Sequence, residues 1–213
     1  MGKPRRDITY LAGFTIDNYG LVSNFPITKM EDLKGHKIGG GGPNLAWFKN
    51  TGAVGVQGSL NTFYNDIKTG VYDGAISFIT SAVPAKLYEV APHFTVVNMG
   101  AMYAGAVAIN KARWDKLPSE VKAAFQLGAQ AYQKNYTTEQ NARISGAMEA
   151  WTKSGGKLTT LDPAEQLRLV KAIPNPSTDW IKQAGPSAKS VLVTYMDAVR
   201  ATGFKFPRDF DKE

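Results

Sequence analysis

Hydrophobic positions along the chain change period several times, and the changes mark the elements. Between residues 7 and 24, Ile8, Tyr10, Leu11, Phe14, Tyr19, Leu21 and Val22 are broken by Gly13 and Gly20, which predicts short strands. Lys29 to Leu33, stopped by Gly35, predicts a helical turn or two. His36-Lys37-Ile38 reads as a strand entering the run Gly39-Gly40-Gly41-Gly42. Pro43 then suits the first position of a helix carrying Leu45, Ala46, Trp47 and Phe48 and ending at Gly52. A strand at Val54–Gln57 follows, then a helix from about Asn61 to Thr69 with Phe63, Tyr64 and Ile67 on one face, then a turn into a strand at 75–78. Residues 36–78 thus alternate strand and helix, the pattern of a parallel sheet covered by helices.

Further strands are predicted at 94–98 and 102–109. From Pro118 the period becomes helical: Val121, Phe125, Leu127, Ala131, Tyr132, Ile144, Met148 and Trp151 imply one long helix, or two in series, stopping at Gly155-Gly156. Lys157 to Leu161 is a short strand. Asp162-Pro163-Ala164-Glu165 predicts a capped helix start, with Glu165 placed to complete a capping box. Pro174 and Pro176 interrupt that helix, and a last one runs from after Pro186 to about Arg200. No internal repeat or low-complexity segment is seen.

Composition narrows the chemistry. The chain has 213 residues, 43% hydrophobic and 20% charged, enough to bury a core. It has no Cys, which excludes disulfides, thiol nucleophiles and thiolate metal sites. His36 and His93 are its two histidines, too few for a His-rich metal centre or a convincing Ser/His/Asp set, and no other catalytic constellation stands out. No cofactor is implied. The net charge of +7 includes Lys3, Arg5 and Arg6; elsewhere the signs are interspersed and no basic stripe carries spaced aromatics, so a solvated surface is favoured over nucleic-acid binding. The apolar stretch from Met99 to Ile109 is short of the roughly 20 residues that cross a bilayer, and the start has no signal-peptide pattern, so no stable membrane insertion is expected.

The informative local feature is Gly39 to Gly42. Between a strand and a helix it would offer unhindered N–H groups at the positive end of a helix dipole, a site for a carboxylate or phosphate. It lacks the Gly-Lys-Ser/Thr of a phosphate loop and the Gly-x-Gly-x-x-Gly order, and a tight turn against another segment accounts for it as well.

The order Asn24-Phe25-Pro26-Ile27, Asp32-Leu33-Lys34-Gly35-x-Lys37-Ile38, Asn44-Leu45-Ala46, Thr51-Gly52-Ala53, Tyr64 with Gly70-x-x-Asp73-Gly74, Tyr88-Glu89-Val90 and Leu117-Pro118 resembles the solute-binding proteins of TRAP transporters, the DctP-like family. The resemblance implies an α/β fold: a type II periplasmic-binding-protein-like lobe with a parallel-rich mixed sheet and a long C-terminal spanning helix, the N-terminal lobe being largely missing. It implies a remnant of the first lobe at 1–19, a ligand-binding second lobe at 20–105, a returning strand, spanning helix and short strand at 106–160, and helices packing back at 161–213. The family typically has a leader and a fuller first lobe ahead of this stretch. By resemblance the protein is a periplasmic receptor that binds a small organic acid and delivers it to membrane permease subunits, without catalysis or metal; whether such a chain folds alone or as a homodimer stays open.

Two departures bear on the ligand. The family typically places a carboxylate-clamping arginine where this chain has Gly39, and some acidic-sugar binders place a second where it has Phe25. The resemblance puts further ligand contacts at Ser77, with Phe78 beside it, and near Tyr103. The expected site is therefore Phe25, Gly39, Gly40, Gly41, Asn44, Trp47, Ser77, Phe78 and Tyr103, taking an aromatic or 2-oxo monocarboxylate whose anion is held by the Gly39 to Asn44 amides. The alternatives are an α/β enzyme using the Gly39–Gly42 loop for a phosphorylated substrate, and a basic interaction module for nucleic acid.

Overall fold

The computed structural model describes residues 7–98, 100 and 104–213. Two sheets organise it. Strands β1 (Ile8–Thr15) and β7 (Ala104–Asn110) pair antiparallel as a two-stranded ribbon, with an irregularity in register between Tyr10 and Ala12. The other six, β2 (Gly20–Ser23), β3 (Lys37–Gly40), β4 (Val54–Gln57), β5 (Gly74–Ser77), β6 (His93–Val96) and β8 (Lys157–Thr160), form one sheet in the order β4-β3-β5-β2-β6-β8. Only β2 runs against its neighbours; the pairs β3–β4, β3–β5 and β6–β8 are parallel. The sheet is parallel-rich and mixed, as expected. It takes its last strand from 157–160, beyond the 20–105 segment.

Alternating side chains send two cores to opposite faces. Leu21, Ile38 and Ile76 face one, where Leu33, Trp47, Phe48, Leu169 and Ile173 cover them. Val22, Ala75 and Phe94 face the other, covered by α1 (Phe63–Lys68), α2 (Ile79–Ala82) and Trp151. The result is a three-layer α/β/α unit. Gly74 allows the tight centre: a Cβ there would lie 2.3 Å from the Val22 carbonyl oxygen.

Helix α4 (Ser119–Lys153) is one continuous helix of 35 residues, about 52 Å long by its rise per residue, and ends where Gly155 turns left-handed at φ 85°. Its end buries Trp151, whose indole N–H donates to the Lys157 carbonyl at 3.2 Å. α5 (Pro163–Ala172) starts as expected, Asp162 accepting from the Ala164 N–H at 2.8 Å. The capping box does not form. Glu165 instead accepts from the Met30 N–H at 3.0 Å and pairs with Arg168, which also bonds Glu31, tying α5 to the 3-10 turn Met30–Leu33.

Three short helices escaped sequence reading: α2, α3 (Lys111–Asp115) and α6 (Pro176–Ala184), the last opened by Asn175 accepting from the Ser177 N–H at 2.9 Å. α7 (Ala188–Ala201) closes the series. Among the described residues no helix is long and apolar enough to cross a membrane.

Candidate ligand-binding edge

The parallel strands end together. Gly40, Gln57, Ser77 and Val96 close β3, β4, β5 and β6 on the edge where antiparallel β2 begins at Gly20, which pairs with both Ser77 and Val96. In open α/β sheets this carboxyl edge is where ligands bind. Tyr19, one residue before β2, places its ring 4.1 Å from Phe78 and edge-on to Trp47 at 5.4 Å. Beside them, almost fully buried Asp17 accepts from the Thr80 main-chain N–H at 3.2 Å and from its hydroxyl at 2.9 Å.

The glycine run is not a loop. Gly39 and Gly40 belong to β3: Gly39 has Val56 on one side and Ala75 on the other, and Gly40 pairs with Gln57 while its carbonyl accepts the Gly58 N–H at 2.9 Å. Their main-chain polar groups are committed to the ladder. The Gly42 N–H donates to the Gln57 side-chain oxygen at 3.3 Å, and the Asn44 N–H to the Gly41 carbonyl at 3.1 Å, opening a 3-10 helix at Gly42–Phe48 where an α-helix was expected. An anion grip built on the Gly39 to Asn44 amides therefore finds most of its donors already used.

Position 39 also has no room for a cation. Its Cβ would lie 2.7 Å from the Tyr72 ring, which is buried and donates its hydroxyl to Asp66 at 2.8 Å. Burial, with that bond, pushes the Tyr72 phenol up to about 12, so it stays a neutral packing element. The arginine that the resemblance implies at this place is replaced by a glycine and a covering tyrosine.

The expected site residues part company here. Gly41, Asn44, Trp47 and Phe78 follow the carboxyl ends of β3 and β5. Gly40 faces Ile76, Leu45 and Asn44, leaving little space above it, and Ser77 is fully buried, its hydroxyl turned to the Phe78 carbonyl at 3.4 Å. Phe25 lies at the other end of the sheet, stacked 3.6 Å from His36, whose Nδ1 is 3.1 Å from Asp73. A four-residue strand separates the two ends by about 10 Å. Tyr103 lies outside the described residues.

Sequence reading missed Asp17, Thr80 and a cavity of about 460 Å³ that opens beyond Trp47, walled also by Asn98, Ile173, Tyr195, Phe206 and Arg208. Asn98 holds a left-handed backbone, φ 50°, just past β6. No local pattern announces walls drawn from residues 47 to 210. Among the described residues no group of three or more His, Cys, Asp or Glu is placed to hold a metal ion.

A short mixed sheet with a carboxyl-edge pocket is shared by many proteins, so identity rests on comparison. The profile of DctP, the bacterial extracellular solute-binding proteins of family 7, matches residues 5–182. The chain belongs to this DctP family. Its members are periplasmic substrate-binding proteins rather than enzymes. One curated relative, the C4-dicarboxylate-binding periplasmic protein DctP of Rhodobacter capsulatus, is 30% identical over 167 residues, covering 75% of this chain and 49% of its own length. Among solved structures, the periplasmic ectoine-binding protein of the TeaABC TRAP transporter of Halomonas elongata superposes with a TM-score of 0.79 at 21% identity, covering 92% of this chain and 65% of the other. A TRAP periplasmic solute-binding protein from Desulfovibrio salexigens, with bound orotic acid, gives 0.78 at 20% identity, covering 90% and 62%. The chain spans about half the length of that DctP relative and under two thirds of these structures.

Proposed function

We propose that this DctP-family chain is the periplasmic receptor of a TRAP-type transporter, taking a small organic acid with one carboxylate on an aromatic or 2-oxo body and handing it to membrane permease subunits. The single observation that carries the ligand class is the cavity beside Trp47. Its volume of about 460 Å³ falls in the range of small-molecule sites, roughly 300–1,000 Å³, and its walls are mostly rings and aliphatic chains with few polar groups. A C4-dicarboxylate would bury two charges against that lining, where one anionic end and a flat body suit it better. The orotic acid bound by the Desulfovibrio protein supports this class, whereas the Rhodobacter relative, named for C4-dicarboxylates, supports only a small organic acid.

Capture needs no covalent step. A ligand that prefers a closed arrangement shifts the population toward it, and the closed form is what a permease recognises. Trp47, Tyr195 and Phe206 supply the walls, while Asn98 and Ser177 are there for polar contact. An enzyme using the glycine run for a phosphate ester loses its ground, because the Gly39 and Gly40 main chain serves the sheet.

Calorimetric titration with phenylpyruvate, benzoate and succinate tests the reading. Phenylpyruvate is expected to bind more tightly than succinate, and Trp47→Ala to weaken it by about tenfold, the loss of one large aromatic contact. Preference for succinate, or no heat from any of the three, overturns it.

A further inference from the structure

Among the described residues, the wall of the cavity beside Trp47 has one cationic side chain, Arg208, and the two edges of its guanidinium are used differently. Nη1 donates to the carbonyls of Val170, at 3.0 Å, and Ile173, the free carbonyl groups at the end of α5. The other edge, Nε and Nη2, makes a two-pronged pair with the Glu213 carboxylate at 2.6 and 2.7 Å. The guanidinium also lies over the Phe210 ring, 4.8 Å from its centroid. Main chain and ring therefore orient Arg208 without help from Glu213. The Arg208 side chain is 17% exposed, whereas that of Glu213 is 41% exposed and held chiefly by this pair, with a lesser contribution from Asn175.

We propose that Arg208 is the carboxylate-binding side chain of this cavity, and that Glu213 occupies its fork until a ligand carboxylate displaces it. The inference rests on the reading of an aromatic or 2-oxo monocarboxylate as ligand. A fork preset by backbone carbonyls matches a carboxylate in two parallel hydrogen bonds. An incoming acid makes the same two bonds and also buries a ring against Trp47 and Phe206, which Glu213 does not offer. Glu213, tethered five residues away, competes as an intramolecular ligand at an effective concentration in the millimolar range. Removing it should sharpen binding. Arg208 would then supply, from a distant part of the chain, the cation missing at position 39.

The test titrates the full chain and two variants, Glu213→Gln and Arg208→Lys, with phenylpyruvate and with neutral benzamide, thermal melts confirming the fold. Expected are about tenfold tighter phenylpyruvate binding in Glu213→Gln, about tenfold weaker binding in Arg208→Lys, and benzamide unaffected in both. If Arg208→Lys fails to fold, Glu213→Gln decides alone, since its side chain is exposed. Unchanged or weaker phenylpyruvate binding in Glu213→Gln overturns the proposal. Phenylpyruvate binding that Trp47→Ala weakens but neither variant alters removes the clamp and leaves the ligand class standing. No phenylpyruvate binding by any form removes both.

Discussion

The two ends of α4 lie in different physical worlds. Its last turns pack against the six-stranded sheet, where Trp151 is wholly buried and meets Tyr88 and Phe94 edge-on at 5.8 and 5.6 Å. Its first half lies on the β1–β7 ribbon and leaves Phe125 44% and Leu127 67% exposed, above an open apolar groove of about 420 Å³ lined by Leu11, Val107, Val121 and Tyr132. One helix thus joins a unit with a core on each face to a two-stranded ribbon, a form that is marginal by itself. Continuous hydrogen bonding makes a helix continuous, but it does not distribute stability evenly along it.

The sharpest way to break this contrast is a pair of truncations on the same helix. Trp151→Ala empties a fully enclosed site and removes the indole donor to the Lys157 carbonyl; the expected loss is about 3–5 kcal/mol in urea unfolding. Phe125→Ala removes a ring already half in water, whose aromatic neighbour is Trp114 at 6.1 Å, and should cost less than about 1 kcal/mol. Equal losses would show that the ribbon end is as firmly packed as the sheet end.

Next in size is Gly39→Ala. The new methyl would meet the Tyr72 ring at 2.7 Å within a close-packed core, an overpacking cost of about 1–3 kcal/mol by thermal or chemical melts. Combining it with Tyr72→Val should recover much of that loss, a coupling expected of residues in contact. Additive effects would mean that Tyr72 does not fill the space over position 39.

That position also shows why the site was harder to read than the fold. Alternation of strand and helix from 36 to 78 is local, carried by side-chain period and by stops such as Gly70, so the parallel-rich sheet was legible. A run of glycines has no side-chain period. Whether it is loop or strand is decided by Val56 and Ala75, far along the chain, and these claimed Gly39 and Gly40 for the sheet. Phe25 was misplaced for a related reason: order along the chain brought it near the other candidates, but β2 runs antiparallel and carries it to the opposite end. The walls around Trp47 were invisible because α5, α6, α7 and residues 204–210 reach them only after folding. α4 was legible as helix, since its spacing is regular, yet which half would be covered was not.

Asp17 sits on the passage between the two regions, two residues past β1 and three before β2. Asp17→Ala strips Thr80 of its carboxylate acceptor at a buried place, a loss of about 1–3 kcal/mol. Its distinctive signature is expected in hydrogen exchange. The β1–β7 amides should exchange faster than in the parent, while Val22, Ile38 and Phe94 keep their protection, because the sheet's two cores do not depend on this crossing. Uniform acceleration throughout would mean that ribbon and sheet open as one unit.

The smallest effect belongs to the segment 203–213. Arg200 binds Asp209 and Asp211, each at 2.6 Å, and Asp197 at 2.8 Å; the two tail carboxyls are held below their usual range chiefly by these hydrogen bonds to Arg200, and Glu213 is lowered likewise by Arg208. A carboxyl whose folded value is depressed contributes its stability above the ordinary value, near 4, and loses it as pH falls through the lowered one. Between pH 7 and 5 the tail should therefore hold, and below about pH 4 it should loosen; added salt should act in the same direction, chiefly through Asp197 and Asp209, which are open to solvent, and less through buried Asp211. NMR amide shifts of Phe204 to Glu213 would follow the change against those of the β1–β7 ladder, which rests on main-chain bonds and should stay unmoved over the same range. Tail shifts that remain constant down to pH 2.5 would show that apolar contacts of Phe206 and Phe210, not their ionic neighbours, keep this segment against α7.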